Sequence, residues 1–151
     1  MNNLIKRHSY QRLKTWDYSN PGRYFITICC SDKKNVFNDE HLRQNAINIF
    51  KFNSEENNIK VNGIVVAVDH IHVIVELNEG SSLNLSQYLG KVKVRITQYL
   101  RKSENIKEDE QVWQRSFYDH VIRDERDFIE KAKYVENHPI KEEGNIFTEW
   151  H

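Results

Sequence analysis

Apolar positions along the chain fall into short runs rich in β-formers, separated by stretches with helical spacing. Tyr24-Phe25-Ile26-Thr27-Ile28-Cys29-Cys30 is dense in aromatic and β-branched residues and predicts a first strand. It follows the turn signal Ser19-Asn20-Pro21-Gly22. Leu42, Ala46, Ile49, Phe50 and Asn53 recur at helical spacing behind Asn38 or Asp39, either of which suits an N-cap. Lys60 to Val68 reads as a second strand and Ile71 to Leu77 as a third, joined through a tight hairpin at Val68-Asp69-His70. Ser81 or Ser82 offers a cap for a second helix with the apolar stripe Leu85, Leu89, Val92, Ile96, Tyr99 and Leu100. The charged stretch Lys102 to Glu110 reads as an exposed loop, and Phe117 to Ile122 as a fourth strand. Asp124 caps a third helix carrying Phe128, Ile129, Ala132 and Val135, which Pro139 stops.

The resulting order is β-α-β-β-α-β-α. Its first six elements match a split β-α-β, ferredoxin-like α+β fold: an antiparallel sheet with helices on one face, followed here by a C-terminal helix. The second face of the sheet is then open for binding or chemistry, and the fold alone does not choose between them.

Composition narrows the class. The 151 residues suffice for one core, so a single domain over 1–151 is expected, with residues 1–22 as a basic N-terminal extension. Twenty-two basic side chains balance 22 acidic ones, which excludes a histone-like grip on nucleic acid and an acidic solvating tail. The aromatic content of 11% supplies the buried surface that a disordered chain lacks. No apolar run approaches the roughly 18 residues of a membrane span, and no apolar stretch of a signal peptide follows the first basic residues. A cytoplasmic protein without membrane partners is the expectation. Cys29 and Cys30 are adjacent on a strand and point to opposite faces, which suits reduced core residues better than a disulfide.

The most informative residues chemically are Asp69-His70-Ile71-His72. Period-two geometry puts both imidazoles on one face of the third strand, where they can converge on a divalent cation. Tyr134 and His138 are four residues apart and share a helical face if the last turn reaches Pro139. His138 as a third ligand leaves coordination positions open, as a catalytic metal requires. Each residue also has a plainer reading. Strand histidines are often hydrogen-bonded surface groups, Tyr134 suits an amphipathic helix, and His138 suits a helix C-terminus. Asp69 either orients a histidine or makes the hairpin turn, and the turn is the simpler role.

Four segments occur in one order: Tyr24-Phe25-Ile26-Thr27, Asp69-His70-Ile71-His72, Trp113-Gln114-Arg115-Ser116-Phe117-Tyr118-Asp119-His120-Val121-Ile122-Arg123 and Tyr134-Val135-Glu136-Asn137-His138-Pro139-Ile140-Lys141. Together they resemble the REP-associated tyrosine transposases, a branch of the single-tyrosine HUH transposases of bacterial insertion sequences. The resemblance runs from about Arg12 to Gly144. It implies a ferredoxin-like nuclease domain in which His70 and His72 bind a divalent metal ion, Mg²⁺ or Mn²⁺, and Tyr134 is the catalytic nucleophile. It also implies a metal-dependent single-strand DNA endonuclease and strand transferase that forms a 5′-phosphotyrosine intermediate at a hairpin or repeat-associated site. Four residues after the tyrosine the family commonly carries Asn or Gln. Here that position is His138, with Asn137 before it, so either can complete the metal site.

Contacts to single-stranded or hairpin DNA are expected from Trp113, Arg115, Tyr118 and Arg123 by stacking or phosphate contact, and from Lys91 and Arg95, one turn apart on the second helix. Trp113 and Phe117 can equally anchor the fourth strand to the core. His120 lies in a matching segment without an assigned role. A homodimer is open, since relatives place the tyrosine helix in their own or in the partner's active site. The rival readings are a non-catalytic nucleic-acid-binding ferredoxin-like module and a domesticated transposase that only binds DNA.

Overall fold

The computed structural model describes residues 20–139 and 146–149. Five strands form one antiparallel sheet: β1 Gly22–Cys29, β2 Lys60–Val66, β3 His70–Leu77, β4 Tyr118–Ile122 and β5 Ile146–Thr148. Their spatial order is β4-β1-β3-β2-β5. The first four follow the ferredoxin-like arrangement, in which the central pair, β1 and β3, is flanked by β4 and β2. The three-residue β5 was not expected from the sequence; it pairs with β2 through Gly63–Val65. Most of the expected basic extension, residues 1–19, lies outside the described residues, as do Ile140 and Lys141 of the last matching segment.

Three helices cover the sheet: α1 Glu40–Glu56, α2 Leu85–Lys102 and α3 Glu125–Glu136. Asp39 caps α1 by accepting from the His41 amide, and Asp124 caps α3 by accepting from the Asp127 amide. The cap of α2 is Asn84, not Ser81 or Ser82. Asn84 and Gln87 form a reciprocal capping box that satisfies two otherwise orphaned amides. The two serines instead tie the loop before α2 to the turn after α1, Ser81 donating to the Asn58 carbonyl and Ser82 to Asn57 Oδ1.

Strand alternation produces two cores. On one face Tyr24, Ile26, Ile28, Ile71, Val73 and Val75 pack under Leu42, Ala46 and Phe50 of α1 and Tyr88, Leu89, Val92 and Ile96 of α2. On the opposite face Val65, Ile74 and Ile122 pack under Phe128, Ala132 and Val135 of α3. Each large apolar side chain buried there stabilises the arrangement by roughly 1.5–3 kcal/mol. The smaller cluster therefore fixes α3 across the face that α1 and α2 leave uncovered, and that face carries both β3 histidines. Among the described residues, no helix is long and apolar enough to cross a membrane.

Candidate active site

The site is built on one row of the sheet. Register aligns Tyr118 of β4, Thr27 of β1, His72 of β3, Val65 of β2 and Ile146 of β5. His70 stands two residues before His72 on the same face, opposite Cys29, while Ile71 turns into the larger core. The imidazole centroids of His70 and His72 are 4.7 Å apart.

α3 supplies the rest. It ends at Glu136, earlier than the spacing to Pro139 suggested, and Asn137 is its C-cap. The chain nevertheless continues in a tight turn, in which the His138 amide donates to the Val135 carbonyl. This turn brings His138 to 5.7 Å from both His70 and His72, centroid to centroid. One ring nitrogen from each of the three histidines lies within 4.8 Å of the others. Nitrogen donors at about 2.1 Å around a tetrahedral ion stand about 3.4 Å apart, so the rings would close by up to about 1.4 Å to hold one.

Tyr134 is not the buried amphipathic tyrosine of the plainer reading. Tyr134 is 50% exposed, and its hydroxyl lies within hydrogen-bonding distance of His72 Nε2, at 3.4 Å. Phe25 buttresses both groups, stacked on His72 with a 17° interplanar angle and edge-on to Tyr134. The tyrosine and the three histidines belong to one chain.

Side-chain partners hold two of the rings from behind. Asp69 Oδ1 lies 2.7 Å from His70 Nδ1, and a carboxylate only accepts, so Nδ1 carries a hydrogen and Nε2 is the nitrogen that offers a lone pair whenever the ring is neutral. Asp69 thus does more than make the turn, although its carbonyl also accepts from the Cys30 amide. Thr27 Oγ1 lies 2.9 Å from His72 Nδ1. A threonine hydroxyl can donate to or accept from that nitrogen, so Thr27 holds the orientation of the His72 ring, with Nε2 turned toward Tyr134. Thr27 was missed as a site residue because only the register between β1 and β3 reveals its partner. Burial, and then positive charge on His70 and His138, push the His72 imidazole down to about 3, which keeps it neutral. His138 is lowered too, by burial and then by His70.

The residues expected at DNA divide by location. Tyr118 is half-buried at the end of the Thr27–His72 row, and Arg115 is exposed in the bend before β4. Arg123 is exposed beyond the far end of β4, next to Ile122, whose partner Arg23 is four residues from Thr27, roughly 13 Å along the strand. Lys91 and Arg95 are not brought to the histidines. They ride on α2, which packs on the opposite sheet face, and Arg95 pairs with Glu56 of α1 at 3.7 Å. Trp113 is committed to the fold: its indole donates to Thr97 Oγ1 at 2.9 Å and its ring packs against Phe37. His120 reaches α3, with Nε2 2.7 Å from Asp127 Oδ2, which helps tie the first turn of the helix to β4. Cys30 is buried, and burial raises its thiol to about 12; Cys29 is half-buried and raised by the same cause.

Known proteins resemble this chain in sequence and in fold. The chain is 28% identical to an uncharacterized protein of Haemophilus influenzae, over 85% of this chain and 86% of that protein. It is 25% identical to a candidate REP-associated tyrosine transposase of the same organism, over 83% of this chain and 74% of that one. In fold it is similar to a REP-associated tyrosine transposase solved bound to a REP hairpin, with a TM-score of 0.65, 20% identity, and 87% of this chain and 74% of that chain covered. It is also similar to a candidate transposase of Deinococcus radiodurans, with a TM-score of 0.56, 13% identity, and 84% and 96% coverage. The sequence pattern described as transposase IS200-like matches residues 20–138, a span that takes in the whole sheet except β5, all three helices and every histidine of the cluster. The chain therefore belongs to the IS200-like transposase family.

Proposed function

We propose that this protein is a metal-dependent endonuclease and strand transferase for single-stranded DNA, acting at a hairpin or repeat-associated site through a covalent 5′-phosphotyrosine. The observation that carries this reading is the half-exposed Tyr134, whose hydroxyl lies 3.4 Å from His72 Nε2 beside a cluster of three histidines. His70, His72 and His138 would hold the cation, because one ring nitrogen of each converges with those of the others. A divalent cation bound there supplies positive charge that polarises a scissile phosphate and offsets the charge of the attacking oxygen.

The chain's own groups do the remaining work. Phe25 and the α3 core hold Tyr134 half-exposed at the rim of the site, with its oxygen beside His72 Nε2. The Tyr134 oxygen forms a bond to phosphorus as the bond to the 3′ oxygen breaks, and the phenol proton is passed on so that the 3′ oxygen leaves as a hydroxyl. One phosphodiester is exchanged for another, so the bond energy is conserved and a different 3′-hydroxyl can reverse the step and join strands. Tyr118, at the end of the same sheet row, and the exposed Arg115 are positioned to meet the strand by stacking and phosphate contact. The hairpin-bound relative supports a structured DNA substrate for this chain as well.

The test is a labelled hairpin carrying a repeat-associated site, incubated with the protein and a divalent cation. Nicking with a trapped protein–DNA adduct is expected from the native sequence. Tyr134→Phe should keep single-strand binding and lose the adduct. Metal and DNA binding with no nicking and no adduct would favour a domesticated DNA-binding protein instead.

A further inference from the structure

The donor set of the cluster is uniform. Three imidazoles converge, and among the described residues no carboxylate joins the group. The adjacent acid, Asp69, is spent on the back of the His70 ring at Nδ1. His72 is 8% exposed and stacked on Phe25, so one flank of the cluster is closed to water by an aromatic ring. Two of the three rings are held at Nδ1, His70 by Asp69 and His72 by Thr27, which leaves their Nε2 atoms on the side away from those partners.

This chemistry discriminates between cations. Mg²⁺ demands near-octahedral oxygen coordination, parts reluctantly with water, and is ordinarily held by one or two carboxylates together with substrate phosphates. Imidazole nitrogens suit later first-row ions, whose affinity for such donors rises from Mn²⁺ through Co²⁺ toward Zn²⁺. An oxygen donor from an amide side chain after the tyrosine would give a mixed set. His138 replaces that oxygen with a third nitrogen.

We propose that the His70, His72 and His138 centre selects a late first-row transition cation over Mg²⁺, and that His138 is the residue that sets this preference. The inference rests on the functional reading above only in assigning the cation to these three side chains. His138 lies beyond the last residue of α3 and is half-buried, so replacing it leaves the helix and its core contacts in place.

The test measures metal binding on the full chain without DNA. Co²⁺ is titrated by its visible d–d absorption and by calorimetry, and Zn²⁺ and Mg²⁺ are measured by calorimetry and by competition. One Co²⁺ should bind per chain at least about 100-fold more tightly than Mg²⁺, with an absorption envelope typical of nitrogen donors. His138→Asn should weaken Co²⁺ by about tenfold or more while leaving Mg²⁺ within about twofold. Asn137→Ala, at the other position able to complete the site, should change neither. Circular dichroism confirms that each variant is folded. Mg²⁺ binding within about tenfold of Co²⁺, or Co²⁺ affinity unchanged by His138→Asn, would overturn the proposal. The two readings fail separately. A Tyr134 adduct formed with Mg²⁺ at comparable affinity sinks the metal preference alone, whereas tight Co²⁺ binding with no adduct under any cation sinks the nuclease reading alone.

Discussion

Acidification is a direct probe of the site, because His72 is buried neutral. Its imidazole titrates near 6.5 in an unfolded chain and about 3 in the folded one. Between those values the unfolded chain binds the additional proton, so stability falls as pH drops through 6.5 and levels off below 3. The full difference corresponds to about 5 kcal/mol, and by about pH 5 the loss from this one group is about 2 kcal/mol. His138 acts in the same direction, with a smaller effect because it is more exposed. Asp127 and Glu110 have lowered pKa values, so their contributions persist until the pH falls below the ordinary carboxylate range and do not enter this window. The assay is urea unfolding of the metal-free protein, followed by tryptophan fluorescence at about pH 7.5 and about pH 5, beside His72→Gln. The native sequence should lose about 2 kcal/mol more than the variant between the two conditions. Equal losses in both proteins would refute the burial of a neutral imidazole at His72.

Other substitutions probe the supports of the site and the scaffold. Thr27→Val keeps the side-chain volume but removes the hydroxyl partner of His72 Nδ1, and should weaken Co²⁺ binding by about 10- to 100-fold in a folded protein. Metal titration of the variant beside the native chain checks this. Gly90 sits exposed inside α2, and an added Cβ would meet no atom within 4 Å. Gly90→Ala should therefore raise unfolding stability by about 1 kcal/mol, measured by denaturant melts. Because His70, His72, His138 and Tyr134 come together within one chain, mixing His70→Ala with Tyr134→Phe should recover no adduct formation. Recovered activity would mean that the tyrosine helix is exchanged between chains.

Local patterns in the sequence were enough for much of the scaffold. Alternation around His70-Ile71-His72 predicts both imidazoles on one face, and the structure places them there because Ile71 is drawn into the larger core. The helical stripes of α1, α2 and α3 likewise appear as buried faces. Competition among neighbouring caps was harder to read. Ser81, Ser82 and Asn84 all offer a capping oxygen, and Gln87 decides for Asn84 because it can return a hydrogen bond. The three residues of β5 are too few to show a period. The partners of the site residues were the least legible. Thr27 meets His72 across 45 positions, and the Trp113 indole meets Thr97 across 16, so no local pattern separates an aromatic that stacks on DNA from one that anchors the fold. Lys91 and Arg95 show the same limit, since helical spacing puts them together but cannot say which face of the sheet their helix covers.

The central claim is that Tyr134 attacks a phosphodiester and retains the 5′ phosphate. The most direct measurement is a hairpin labelled separately at each end, reacted with the protein and a divalent cation, then digested and mapped by mass spectrometry. The 3′-labelled fragment should remain attached through its 5′ phosphate to the peptide bearing Tyr134, and the 5′-labelled fragment should leave with a free 3′-hydroxyl. Cleavage that leaves neither fragment on the protein, or an adduct that survives Tyr134→Phe, would contradict the account.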